Sequence, residues 1–170
     1  MGGAFHVPGN TGPVAEFNYF VDPEAAEVVL SSGLRLMIVP LDVTQRCVLM
    51  RKEVERAASA QPSILISFID RFTRMYMRYH LDREGFDGGY LHDPLAVAVA
   101  VDASLVRVES RVIVVETESA LSRGMTIQLA QPWPVHDRTR GRRRSPTSVD
   151  VVTGVDRERF LKLFHDRVLS

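Results

Sequence analysis

The sequence predicts an α/β fold. Three observations carry that expectation. A helix-start signal at Asp22-Pro23-Glu24 is followed closely by the short apolar run "RLMIVP". Apolar residues recur at helical spacing through Ile64, Leu65, Phe68, Ile69, Phe72, Tyr76 and Tyr79. A β-branched, partly alternating stretch, "SLVRVESRVIVVETE", then precedes a closing amphipathic segment. Strand, loop and helix signals alternate along the chain, as α/β organisation requires.

Taken in order, "MGGAFHVPGN" has no helix or strand pattern of its own and reads as a glycine-rich loop. Asp22 is placed to cap a helix, Pro23 suits its first position, and Gly33 closes it. "RLMIVP" reads as a buried strand ending at Pro40. A short charged helix is expected from Arg51 to about Ala58, and a longer one from Pro62 to about Leu81. "DREGFDGG" interrupts the pattern. The apolar segment after His92 is expected to be helical from about Asp93 to Val101. Strands are expected in "SLVRVESRVIVVETE", "SRGMTIQL" and "VDVVTGV", and a final helix capped by Asp156 in "DRERFLKLFHDRVL". Residues 131–147 form a loop rich in proline and arginine.

The 170 residues fit a single domain, 1–170. A chain of this size buries roughly 68–70% of its unfolded surface, so it has room for a core. Lys and Arg number 21, balanced by 21 Asp and Glu, so no global charge pulls the chain toward nucleic acid or an anionic membrane. The arginine run from Arg138 to Arg144 lacks interleaved aromatics, and nucleic acid is not expected as a partner. The one cysteine, Cys47, excludes an intrachain disulfide framework. There is no run of about 20 apolar residues to span a membrane. The N-terminus lacks the basic-then-apolar order of a signal peptide. The expectation is a cytoplasmic protein.

Three clusters are candidates to carry chemistry. In "PGNTGPVAEFN", Asn10, Glu16 and Asn18 set a carboxylate beside two amides. In an extended segment Glu16 and Asn18 point the same way, and such a set suits a polyol, whose hydroxyls both donate and accept. The alternative is a polar turn before a helix. In His92-Asp93-Pro94, Asp93 either caps a helix beginning at Pro94 or ligates a hard cation, with His92 as an acid or electrostatic partner. Tyr76, Tyr79 and His80, one helical turn apart, either line an aromatic slot for a planar ligand or pack the core.

The segments "MGGAF", "GN" with "PVAEFN" and "DPEAA", "VPLDVT", "LHDPLAVA", "SRGMT" and "VDRERFLKLF" follow one another across nearly all of the chain. In that order they resemble the C-terminal half of an inosine–uridine-preferring nucleoside hydrolase. The resemblance implies part of a nucleoside-hydrolase-like, Rossmann-like sheet wound with helices. It implies hydrolysis of the N-glycosidic bond of ribonucleosides to ribose and free base, through an oxocarbenium-like transition state. It implies a Ca²⁺ ion, with Asp93 as a ligand, and His92 as the catalytic group that protonates the departing base. It implies that Asn10, Glu16 and Asn18 hold ribose hydroxyls, that Met1 lies near the ribose, and that Tyr76 and His80 lie on the base side.

The sequence departs from the family pattern, and its arginine-rich loop is unlike the family's usual shorter linker before the last strand. It contains no aspartate cluster of the form D-x-D-x-x-x-D-D, and the strands that accompany that cluster in the family are absent too. One carboxylate from Asp93 cannot supply the 6–8 oxygens that Ca²⁺ takes. Two expectations follow. The chain is the substrate half of a nucleoside hydrolase, completed by a complementing N-terminal half. Alternatively it is a non-catalytic riboside-binding or self-associating relic, a homo-oligomer whose copies cover the exposed sheet.

Overall fold

The computed structural model describes residues 1–131, 135–137, 142–144, 146 and 148–169. By internal contacts the chain divides into two compact units, one of residues 1–43 and 106–154, the other of residues 44–105 and 155–170.

The first unit is built on a four-stranded sheet of order β1-β8-β4-β5. Its strands are β1 (Met37–Ile38), β4 (Val106–Val115), β5 (Thr126–Leu129) and β8 (Ser148–Val155). β1 runs parallel to β8, with Met37 opposite Asp150, whereas β5 is antiparallel to β4, with Val112 opposite Leu129. The sheet is therefore mixed. α1 (Phe17–Val21) and α2 (Pro23–Leu30) precede it, and α2 packs on β4. The Asp22 carboxylate accepts from Ala25 N–H at 2.9 Å, so Asp22 caps α2 as expected. The core joins Leu30 of α2 to Ile38, Ile113, Val115, Val149 and Val151, with Tyr19 and Phe5 packed against it. Within the proline- and arginine-rich segment, β6 (Val135–Asp137) and β7 (Arg142–Arg144) pair antiparallel. Arg138 and Arg140 lie outside the described residues.

The short helix α3 (Leu41–Thr44) leads to the second unit, which is largely helical. α4 (Arg51–Ala60) and α5 (Ile64–Glu84) pack together, and an ion pair between Arg51 and Asp70 ties them. Ser63 caps α5 through the Ile66 N–H, and Gly85 ends it in the left-handed conformation, which costs glycine little. Two short strands, β2 (Val48–Met50) and β3 (Gly88–Tyr90), pair antiparallel. The sequence pattern concealed them. Three-residue strands leave no alternation to detect, and Gly88 and Gly89 read as helix breakers. Gly89 is required there because a Cβ would stand 2.5 Å from the Tyr76 ring. α6 (His92–Val101) and α7 (Arg157–Phe164) pack against each other over buried Leu95, Val99 and Phe160, and Asp156 caps α7 as expected. A π-helical turn, His165–Leu169, ends the described chain. Among the described residues, no helix is long and apolar enough to cross a membrane.

Candidate functional site

In the first unit, the amide–carboxylate cluster is organised by Glu16. Its side chain is buried, 1% exposed, and takes three backbone N–H groups: Asn18 on Oε1 at 2.9 Å, and Gly3 and Tyr19 on Oε2 at 3.1 and 3.3 Å. Two of these bonds make Glu16 the N-cap of α1. This corrects the expectation of an extended segment, because Asn18 sits in the first turn of a helix. The longer carboxylate does the capping work usually given to Ser, Thr, Asp or Asn. The third bond pins the glycine-rich N-terminal segment. That segment is further held by Asp42, whose carboxylate accepts from Phe5 N–H at 2.9 Å and His6 N–H at 2.7 Å, and by Thr126 Oγ1, which accepts from Ala4 N–H at 3.0 Å.

The other residues of this cluster gather around the same helix end. Asn10 Oδ1 accepts from Phe17 N–H at 2.9 Å. Asn18 Nδ2 donates to the Met1 carbonyl at 3.3 Å and approaches Met1 Sδ at 3.5 Å. Met1, Asn10, Glu16 and Asn18 are thus brought together. A carboxylate offers about four lone-pair directions. Three are occupied, and the remaining one is on Oε1. Nearby, burial and the Glu16 charge push the Tyr19 phenol up to about 12.

In the second unit, α6 begins at His92. Its N-cap is Leu91, with no side-chain cap. This corrects the reading of Asp93 as the cap. The Leu91 carbonyl already accepts from Leu95 N–H at 3.1 Å, so the first turn forms earlier than expected. Pro94 then falls at the third helical position, where the missing N–H would have no intrahelical partner anyway. Asp93, exposed in the first turn, complements the positive end of the helix dipole.

His92 Nδ1 lies 2.7 Å from Oγ1 of Thr44, which is fully buried. Burial pushes the imidazole down to about 4, against the upward pull of the Asp93 carboxylate, so the ring is neutral at pH 7. When the Thr44 hydroxyl donates to Nδ1, the ring proton resides on Nε2. Tyr90 contacts His92, with ring centroids 5.4 Å apart, and its hydroxyl donates to Glu84 Oε2 at 2.7 Å. The Tyr76 hydroxyl donates to the Tyr90 carbonyl at 3.1 Å. His80 is buried among Tyr76, Phe86 and Tyr90, with Nδ1 3.0 Å from Glu84 Oε1. His80 is thus packed among these rings, whereas Tyr76 and Tyr79 keep exposed surface. Burial pushes the phenols of Tyr76 and Tyr90 up to about 12.

Sequence reasoning missed Thr44, Glu84, Tyr90 and Asp42. Thr44 and Asp42 lie in the quoted segment "VPLDVT", but their partners are 48 and about 37 positions away, beyond any local spacing rule. Tyr90 lies between the glycine pair and the apolar helix and carries no local signal of its own. Among the described residues, no group of three or more His, Cys, Asp or Glu side chains can hold a metal ion. Asp93 alone does not fit a Ca²⁺ shell of 6–8 oxygens.

The same architecture occurs in solved nucleoside hydrolases. A plant nucleoside hydrolase, the PpNRh1 enzyme, superposes with a TM-score of 0.86 at 30% identity, over 99% of this chain and 52% of its own. A purine-preferring ribonucleoside hydrolase from Gardnerella vaginalis superposes with a TM-score of 0.81 at 35% identity, over 99% of this chain and 50% of its own. The family model for inosine-uridine preferring nucleoside hydrolase matches residues 1–162, and the chain belongs to that family. Among its relatives, a pyrimidine-specific ribonucleoside hydrolase, RihA, from Shewanella sp. (strain MR-4) is 37% identical over 167 residues. That match covers 98% of this chain and 49% of the relative, so the chain spans about half the length of the curated relatives it matches.

Proposed function

We propose that this chain supplies the substrate-holding part of a nucleoside N-ribohydrolase, which cleaves the N-glycosidic bond of ribonucleosides with water to give ribose and free base. Family membership supports the reaction class. The observation that carries the substrate assignment is the built amide–carboxylate cluster. One Glu16 lone pair remains beside the Asn10 and Asn18 amides, a set that both accepts from and donates to ribose hydroxyls. Met1, hydrogen-bonded to Asn18, completes that group. Tyr76 and His80 serve the base side. His92, neutral and held by Thr44, would donate a hydrogen bond from Nε2–H to the departing base, stabilising its developing charge without giving up the proton.

Calcium enters through the family resemblance, with Asp93 as the candidate ligand. This chain does not fit the whole shell, and none of the steps above is assigned to the ion. Chemistry therefore needs further carboxylates of the D-x-D-x-x-x-D-D kind, from a complementing N-terminal half. The single buried cysteine accords with a reducing, cytoplasmic setting. The same lack of a metal cluster among the described residues favours a second reading, a riboside-binding protein without turnover.

The test is ribose release from uridine and inosine, with calcium present, by this chain alone and with a family N-terminal half added. The proposal expects release in the complemented mixture and a loss of about 100-fold or more in His92→Ala. A folded, complemented mixture that releases no ribose contradicts it.

A further inference from the structure

One carboxylate bridges the aromatic cluster of the second unit. His80 and Glu84 stand one turn apart at the end of α5, which Gly85 closes through its N–H on the His80 and Leu81 carbonyls. The chain then passes Phe86, stacked on the His80 ring at 5.3 Å, into β3, whose last residue is Tyr90. That path returns the Tyr90 hydroxyl to Glu84. Glu84 is engaged through both oxygens: Oε1 is 3.0 Å from His80 Nδ1, and Oε2 accepts from the Tyr90 hydroxyl at 2.7 Å. An ionised carboxylate only accepts, so the proton of a neutral His80 ring resides on Nδ1 and Nε2 is a bare acceptor. Nε2 is buried and meets no hydrogen-bond partner among the described residues. Its other close neighbours are rings, with Tyr76 and Tyr90 set nearly perpendicular at 4.6 and 5.0 Å. Glu84 is therefore the polar group that fixes the tautomer and orientation of this imidazole.

We propose that Glu84 is a positioning residue for the base side of the site: without touching the nucleoside, it holds His80 and the Tyr90 ring in the arrangement that receives the base. The proposal rests on the base-side assignment of Tyr76 and His80 made above and adds the group that preorganises it. Two observations carry it. The first is the bridge itself, one side chain serving two ring residues six positions apart. The second is the place of Tyr90, whose ring lies 5.0 Å from His80 and 5.4 Å from His92. Glu84 thus acts on His80 directly and on the neighbourhood of His92 through Tyr90. Side chains already fixed in the binding arrangement lose less freedom when the ligand arrives, which is how a residue outside the contact shell raises affinity. The Glu84 side chain is 41% exposed, so its removal leaves the buried core of α5 in place.

Calorimetry of the full chain with uridine and with ribose, joined to long-range ¹H–¹⁵N NMR of the imidazoles, tests this. Uridine is expected to bind more tightly than ribose. Glu84→Ala is expected to weaken uridine about tenfold and to leave ribose affinity within about twofold. Glu84→Gln is expected to recover most of the loss, because its carbonyl accepts from His80 Nδ1–H and its amide donates to the Tyr90 oxygen. The neutral His80 ring is expected as the Nδ1–H tautomer in the parent and in Glu84→Gln, and to lose that preference in Glu84→Ala. Asp82→Asn, which weakens an exposed pair with Arg78 on the same helix, is expected to change neither readout. Unchanged uridine affinity in Glu84→Ala overturns the proposal. So does an equal loss for ribose and uridine, which marks a general structural role, and so does an Nε2–H tautomer in the parent. If circular dichroism finds Glu84→Ala unfolded, Tyr90→Phe decides instead: it keeps the ring and breaks one of the two bonds, and unchanged uridine affinity there overturns the proposal. A parent that binds uridine no more tightly than ribose refutes the base-side assignment, and the proposal with it, an outcome recognised before any variant is made.

Discussion

Replacing Glu16 by alanine removes one side chain that three backbone N–H groups share. The Asn18 and Tyr19 N–H groups lose their cap, and the loss of an N-cap costs about 0.5–2 kcal/mol. Gly3 N–H, in a buried segment, loses its acceptor, at about 1–3 kcal/mol. Relief from burying a carboxylate works in the opposite direction. A net destabilisation of about 3 kcal/mol is expected, a large part of a stability of roughly 5–15 kcal/mol. Glu16→Gln preserves size and one acceptor oxygen, and turns an amide NH₂ toward at least one backbone donor. It should cost about 1–2 kcal/mol. Urea unfolding followed by circular dichroism measures both variants. Hydrogen exchange at Gly3 and Tyr19 should accelerate in the alanine variant ahead of the global effect. If Glu16→Ala unfolds within about 0.5 kcal/mol of the parent, the carboxylate is not the organiser of this cluster, and the reasoning fails.

Three further outcomes are expected. His92 holds its proton less tightly in the fold than in the unfolded chain, so the unfolded state binds more protons between pH 6.5 and about 4. Its contribution, on the order of 3 kcal/mol, is fully present above pH 6.5 and is lost as pH falls toward 4; unfolding midpoints of the parent and His92→Gln should converge over that window, and parallel pH profiles would refute this. Thr44→Val leaves His92 Nδ1 without its buried partner and should cost about 1–3 kcal/mol in thermal unfolding, whereas a neutral result would remove Thr44 from the site. Gly89→Ala drives a methyl group into the Tyr76 ring and should cost about 1–3 kcal/mol, a penalty that Tyr76→Ala should reduce when combined with it.

The fold was legible where local chemistry decides it. Asp22-Pro23 and Asp156 punctuate helices by bonds spanning three residues, and those helices begin where the signals stand. It was less legible where distant partners decide. Glu16 is not a usual cap, and its role depends on Gly3, 13 residues away; for that reason α1 was read as extended. The start of α6 moved because the helix uses the Leu91 carbonyl, which no side-chain signal marks. The antiparallel pairing of β5 on β4 depends on tertiary register, which periodicity does not encode. Of the site, the residue types in "AEFN" and "LHDP" identified the polar groups. Thr44, which holds His92 from 48 residues away, carries no local signal.

The substrate assignment rests on the proposal that Asn10, Glu16 and Asn18 bind ribose hydroxyls. Isothermal calorimetry of the chain with ribose and with uridine, repeated for Asn18→Ala, tests it without requiring turnover. Saturable binding by the parent, weakened about tenfold or more in the variant, is the expected result. Absence of binding by the folded parent, or equal affinity in the two proteins, would contradict it.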